Sequence, residues 1–226
     1  MKFRLPLTAL LMGVALVANP ALARKKEPVT PAPAALPTFT DPDPTHDPDD
    51  VLYLDLSDGG RVGIRLMPKW APHHVERIKT LTKEGFYNGQ IFHRVIDGFM
   101  AQTGDPTGTG QGGSDLPDLK EEFNSMPHLR GTVSMARTND PDSANSQFFI
   151  VFYPRFALDR KYTVFGRVIS GMQYVDKIHR GEPPQDPTKI IQASLASQHL
   201  PPPDFAALKA DPASITPDQL SNSTSD

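Results

Sequence analysis

Cysteine is absent from the chain. That excludes disulfides, thiol nucleophiles, thiolate metal sites and a lipid-modified N-terminal cysteine. A surplus of positive charge is missing too. Lys and Arg number 23 against 26 Asp and Glu, a net charge of −3, so no nucleic-acid partner is expected. No apolar run reaches the ~20 residues a membrane helix needs. The N-terminal run, residues 5–17, covers 13 residues before Asn19-Pro20 interrupts it. The seven histidines form no His-Glu-x-x-His pair, and only His73-His74 are adjacent, on positions that do not share a helix face. A Gly-x-Ser-x-Gly elbow is also lacking. Metal, thiol and serine hydrolysis therefore have no foothold, and no metal or organic cofactor is expected.

Proline, by contrast, is abundant, and it divides the chain. Residues 1–23 combine Lys2 and Arg4, the apolar run and Ala21-Leu22-Ala23, the layout of a secretory signal peptide. Cleavage after Ala23 is expected, giving an exported, periplasmic or secreted protein with no stable membrane insertion. Residues 24–50 carry Pro28, Pro31, Pro33, Pro37, Pro42, Pro44 and Pro48, which suit an extended, disordered linker. Residues 51–196 form the one domain with enough apolar content for a core. Residues 197–226, with Pro201-Pro202-Pro203 and a polar end, read as a disordered C-terminal tail in which 205–210 can form a helical turn.

Within the domain the rhythm is mostly that of strands. Residues 51–56 and 61–66 flank Asp58-Gly59-Gly60, a hairpin signal. A helix is expected from Pro72, with Val75, Ile78 and Leu81 or Thr82 on one face and Gly85 at its C-terminal cap. Further strands are expected at 131–136, 147–151, 163–169 and 189–195, and a second helix at 172–179 with Met172, Val175 and Ile178 on one face. Many short strands with two isolated helices indicate an all-β fold, a closed eight-stranded antiparallel β-barrel capped by two α-helices. Gly108 to Gly113 contains a formal G-x-G-x-x-G, but Asp115-Leu116-Pro117-Asp118 follows it and no βαβ rhythm surrounds it, so it reads as a flexible surface loop.

The most informative stretch is Phe92 to Pro106, FHRVIDGFMAQTGDP. An apolar strand with Arg94 inside it meets the turn signal Asp97-Gly98, and Phe99, Met100 and Gln102 follow on a second extended segment. His93 should point away from Arg94, to the opposite side of the strand. Two more blocks follow in order, NSQFFIVF from Asn145 and LDRKYTVFGRVISGM from Leu158. Together these blocks resemble the cyclophilins, the peptidyl-prolyl cis-trans isomerases, and fainter similarity extends over about 51–195. The resemblance implies the same barrel, with eight strands and two capping helices.

The cluster Arg94, Phe99, Met100, Gln102, Gln147 and Phe149 holds no general acid, base or nucleophile. It suits a reaction that breaks no covalent bond. Rotation about an X–Pro bond faces a barrier of about 18–20 kcal/mol because the C–N bond has partial double-bond character. An arginine donor at the prolyl nitrogen or adjacent carbonyl would favour the twisted state, where resonance is lost, over both planar ones. Carried over by resemblance, Arg94 is the catalytic arginine and Gln102 the glutamine that orients it. Phe99, Met100, Phe149 and Leu158 floor and wall the proline pocket, and Gln147 faces the peptide from the neighbouring strand. Ala136 and Arg137 fall where the family's Ala-Asn pair touches substrate backbone. Arg137 and Tyr162 depart from the family's usual Asn and His, and Ala157 replaces a Trp or Phe, which implies weak binding of cyclosporin-type ligands. The expected function is isomerisation that assists the folding of exported, proline-containing polypeptides, by a monomer. The alternatives are a non-catalytic proline-peptide binding module or a holdase-type chaperone.

Overall fold

The computed structural model describes residues 47–210. The expected signal peptide, the linker before residue 47 and the stretch 211–226 lie outside the described residues. Among the described residues, no helix is long and apolar enough to cross a membrane.

Eight strands make one antiparallel sheet: β1 (Val51–Leu56), β2 (Gly60–Leu66), β3 (Arg94–Ile96), β4 (Met100–Thr103), β5 (Thr132–Met135), β6 (Phe148–Val151), β7 (Val164–Ser170) and β8 (Ile190–Leu195). Their spatial order is β3-β4-β6-β5-β7-β2-β1-β8. The sheet curls until its end strands approach. Ile91 bridges Lys189 and Val95 bridges Gly181, with Phe92 N–H donating to the Thr188 carbonyl at 2.9 Å. No continuous ladder joins β3 to β8, so the expected closed barrel is corrected to a strongly curled half-barrel with a seam. The sequence before β8 explains the seam. Pro183, Pro184 and Pro187 lack the N–H groups that a ladder needs.

The same seam shortens the expected 91–96 strand, because Ile91 and Phe92 pair with 188–189 instead of with β4. The hairpin turn is Asp97-Gly98-Phe99, closed by Phe99 N–H on the Ile96 carbonyl at 3.0 Å, so Phe99 belongs to the turn. Its register places Arg94 opposite Gln102 and Ile96 opposite Met100.

The concave side holds the main core, with Leu54, Ile64, Phe92, Phe148, Ile150, Phe165 and Ile190 fully buried. Helix α1 (Pro72–Lys83) closes one end, burying Val75, Ile78 and Leu81. Its N-cap residue, Ala71, has no side chain to offer the orphan N–H groups. The carboxylate of Glu122, 49 residues on, takes the His73 and His74 N–H groups at 3.2 Å each, where a helix favours negative charge. The other end stops as a Schellman motif. Phe86 N–H bonds the Leu81 carbonyl and Gly85 N–H that of Thr82, with Gly85 at φ +72, a conformation glycine adopts without steric cost.

Helix α2 (Met172–Val175) is shorter than the expected 172–179. Met172, Val175 and Ile178 are all buried as the periodicity indicated, but the backbone tightens beyond Val175 into i→i−3 bonds. The Arg180 guanidinium takes the Asp176 and Ile178 carbonyls, which competes with continuing the helix. In the tail, residues Phe205–Ala210 form α3.

Candidate active site

Strand alternation gives the sheet a second apolar surface. Val95, Ala101, Phe148 and Ile150 point into the main core, so Arg94, Ile96, Met100, Phe149 and Val151 face the other way. There Met100, Phe149 and Val151 form a separate buried cluster, with Ile96, Phe99, Ala136, Leu158 and Tyr162 packed around it. The four residues expected to floor and wall a proline pocket, Phe99, Met100, Phe149 and Leu158, thus meet in one place, with Ala136 and Tyr162 beside them. Phe149 is clamped edge-on by the Tyr162 ring, centroids 5.6 Å apart, and stacked by the His128 ring at 6.3 Å. Such ring pairs fix the floor beyond what area burial alone would do.

Behind that floor lies a buried histidine that the sequence did not single out. His128 pairs through Nδ1 with Asp159 Oδ1 at 2.9 Å and through Nε2 with the Ser134 hydroxyl at 2.9 Å. Burial pushes the His128 imidazole below its usual range, against the pull of Asp159. Asp159 follows Leu158, so the pair ties the pocket wall to the sheet. The expected block LDRKY contained Asp159, but its partner sits 31 residues away and left no local signal.

The polar side of the site is a row along β3, β4 and the start of β6. Gln102 Nε2 donates to Gln147 Oε1 at 2.9 Å, and Gln147 Nε2 donates to the Gly112 and Gly110 carbonyls at 2.7 and 3.2 Å. The Gln147 amide is therefore spent on Gln102 and the glycine-rich loop rather than turned to a peptide. The loop expected to be flexible is tied down from below as well. Asp105 takes the N–H groups of Thr107 and Gly110 at 2.7 and 2.6 Å. Burial would raise the Asp105 carboxyl, but the donors from Thr107, Gly112 and Gly110 outweigh it and hold it at about 2. His93 lies beneath this loop, its ring against Gly110, and is buried. Neither of its ring nitrogens has a hydrogen-bond partner.

Arg94 sits at the end of this row with its side chain 41% exposed. The expected link to Gln102 is replaced by another. Arg94 Nε donates to Glu182 Oε2 at 2.8 Å, and no hydrogen bond joins Arg94 to Gln102 among the described residues. Sequence reasoning missed Glu182, which is 88 residues away in a proline-rich connection. The two terminal nitrogens of the guanidinium carry no bond among the described residues and form the free edge beside the apolar cluster.

On the far side of Ala136 a polar cleft of about 430 Å³ opens, lined by Gln102, Gly112, Asn145, Gln147 and Arg137 among others. Arg137 is committed to its own fold. Its Nη2 and Nε donate to the Lys161 carbonyl at 2.8 and 3.1 Å, and its plane lies over the Tyr162 ring at 4.6 Å. Beside the apolar cluster, Ala157 is exposed and supplies no wall, and its neighbour Phe156 is 62% exposed. Among the described residues no group of three metal-binding side chains occurs.

An apolar seat, a free guanidinium edge and a polar row, with the Ser134–His128 pair sealed behind the floor at no exposure, is a constellation for binding and twisting an amide. The comparisons agree with it. The family model for cyclophilin type peptidyl-prolyl cis-trans isomerases matches residues 51–195. A probable peptidyl-prolyl cis-trans isomerase of Brucella suis is 48% identical over 165 residues, covering 66% of this chain and 84% of the relative. The isomerase-like 1 protein of Aspergillus fumigatus is 41% identical over 148 residues, 62% of this chain and 91% of the other. Among solved structures, a cyclophilin from Hirschia baltica aligns with a TM-score of 0.63 at 33% identity, over 69% of this chain and 77% of that one. A Cryptosporidium parvum cyclophilin crystallised in the presence of the dipeptide Ala-Pro aligns at 0.60 and 28% identity, over 64% and 98%. The chain belongs to the cyclophilin-type peptidyl-prolyl cis-trans isomerases.

Proposed function

We propose that this chain accelerates rotation about X–Pro bonds in exported polypeptides, with the prolyl ring seated on Phe99, Met100, Phe149, Leu158 and Tyr162 and the bond lying against the free edge of Arg94. In the planar ground states the prolyl nitrogen lone pair is delocalised. As the bond twists, the nitrogen pyramidalises and the lone pair becomes an acceptor that Arg94 can meet. Arginine is suited to this because it stays charged and presents its donors in a fixed fork. The interaction strengthens only on the way to the transition state, which is what lowers a barrier. The apolar floor holds the ring still while the acyl side rotates, and it keeps water from competing for the donors. Ala136, Gln102 and Arg137 border the path of the adjoining peptide.

The observation that carries this reading is the position of the free Arg94 edge beside the outer apolar cluster. Its test is isomerisation of an Ala-Pro peptide by wild type and Arg94→Ala. A loss of two to three decades is expected, about 3–4 kcal/mol of transition-state stabilisation. Equal rates would remove Arg94 from the mechanism. Line-shape exchange in NMR separates turnover from a binding module that holds proline peptides without turning them over.

Export rests on Lys2, Arg4, the apolar run and Ala21-Leu22-Ala23. It predicts a mature protein that begins at Arg24, checked by N-terminal sequencing, and a folding role in that compartment. A monomer is proposed alongside, checked by sedimentation.

A further inference from the structure

We infer that Glu182 is the positioning residue of the catalytic arginine, the role that sequence reasoning gave to Gln102; the inference rests on Arg94 being the catalytic group. Three consecutive residues grip the outer edge of β3. Arg180 Nε pairs with Asp97 at 3.2 Å. Gly181 exchanges both backbone bonds with Val95, its N–H to the Val95 carbonyl at 2.9 Å and the Val95 N–H to its own carbonyl at 2.7 Å. Glu182 then reaches Arg94 at 2.8 Å. Since Gly181 is opposite Val95 in an antiparallel bridge, Glu182 is opposite Arg94, and directly opposed side chains share a face.

The backbone holds this carboxylate in place. Gly181 has φ +145, and a Cβ there would stand 2.5 Å from Pro184 Cα, so the segment accepts only glycine at this point. The paired backbone bonds between Gly181 and Val95 set the register that places Glu182 beside Arg94.

What the pair does follows from which nitrogen it uses. Glu182 takes the Nε edge, the inner side of the fork, and leaves both terminal nitrogens for substrate. A long arginine side chain with 41% of its surface exposed samples many rotamers, and tying Nε removes most of them before substrate arrives. The benefit therefore appears in the rate of the bound complex rather than in binding. Gln102 does not supply it in this arrangement: it stands opposite Arg94, but no hydrogen bond joins the two among the described residues. Both partners are about half exposed, so the effect is that of a surface pair.

The test is NMR exchange on an Ala-Pro peptide, which yields kcat and KM separately, for full-length Glu182→Ala, Glu182→Gln, Arg94→Ala and the double variant. Glu182→Ala should lose about three- to fivefold in kcat with KM unchanged. Glu182→Gln keeps an acceptor for Nε and should recover at least half of that loss. In the Arg94→Ala background, Glu182→Ala should change nothing further. Thermal midpoints should match wild type, since the Glu182 side chain is half exposed. If Arg94→Ala is crippled but Glu182→Ala runs at the wild-type rate, the inference fails and the arginine assignment stands. A faster Glu182→Ala also overturns it, because the carboxylate would then be holding the arginine off the substrate. Full activity in Arg94→Ala would sink the underlying assignment instead.

Discussion

Acid should weaken this fold through three buried imidazoles, well before its carboxylates titrate. His74, His93 and His128 are all fully or almost fully buried. Burial pushes each below the usual histidine range, against partial compensation from Glu122, Asp105 and Asp159 respectively, while Arg77 and His73 push His74 and Arg94 pushes His93 further down. In the unfolded chain the same groups take a proton near pH 6.5. Below that pH the unfolded state binds more protons than the folded one, so stability is intact above about pH 7 and falls as pH drops through 6.5. Each histidine contributes a limiting slope of about 1.4 kcal/mol per pH unit. Urea unfolding followed by circular dichroism at pH 7, 6 and 5 measures it. His93 isolates one share, because it forms no ion pair with a carboxylate, unlike His74 and His128. His93→Asn should make the fall shallower, by at most about 1.4 kcal/mol per pH unit. Equal stability at pH 7 and pH 5, or the same fall in His93→Asn as in wild type, would refute the reasoning.

Other positions give sharper local readouts. Arg61 holds the fully buried Asp55 carboxylate through two bonds of 2.8 and 2.9 Å, so Arg61→Ala should cost about 3 kcal/mol in urea unfolding. Phe149→Ala removes the ring held between His128 and Tyr162 and should lower stability by about 3–4 kcal/mol, with kcat/KM on an Ala-Pro peptide falling at least tenfold. Arg137→Asn releases the Lys161 carbonyl and the Tyr162 ring, and peptide titration should show KM rising several-fold with kcat nearly kept. Ala157→Trp would rebuild the missing wall. If it covers about 100 Å² of ligand, calorimetry should show a cyclosporin-type ligand bound about 2–3 kcal/mol more tightly.

The pocket's apolar members were legible because they fall in three dense blocks whose strand alternation survives in the sequence. Phe99, Met100, Phe149, Leu158 and Tyr162 meet as expected. Their environment was less legible. The run Phe148–Val151 is buried throughout, so nothing in its pattern separates the two residues of the main core from the two of the outer cluster. Glu182 meets the site through Arg94 and His128 through Asp159, Ser134 and Phe149, and contacts between residues so placed leave no periodicity. Gln102 stands opposite Arg94 in the hairpin, but its amide N–H goes to Gln147 and no hydrogen bond joins it to Arg94 among the described residues. The seam escaped because no pattern marks residues 180–188 as a strand partner, and only the curled sheet shows that this stretch closes against β3.

The two-sided sheet has an evolutionary consequence. On β6, Phe148 and Ile150 answer to the main core while Phe149 and Val151 answer to whatever docks outside, and the strand's pleat keeps the two sets apart. A substitution such as a new residue at 157 or 162 can therefore retune ligand preference without repacking the interior. Ala157 and Tyr162 both lie on that outward side, Tyr162 against the outer cluster and Ala157 exposed beside it. Selection for a new client can act on that surface while the interior is inherited unchanged.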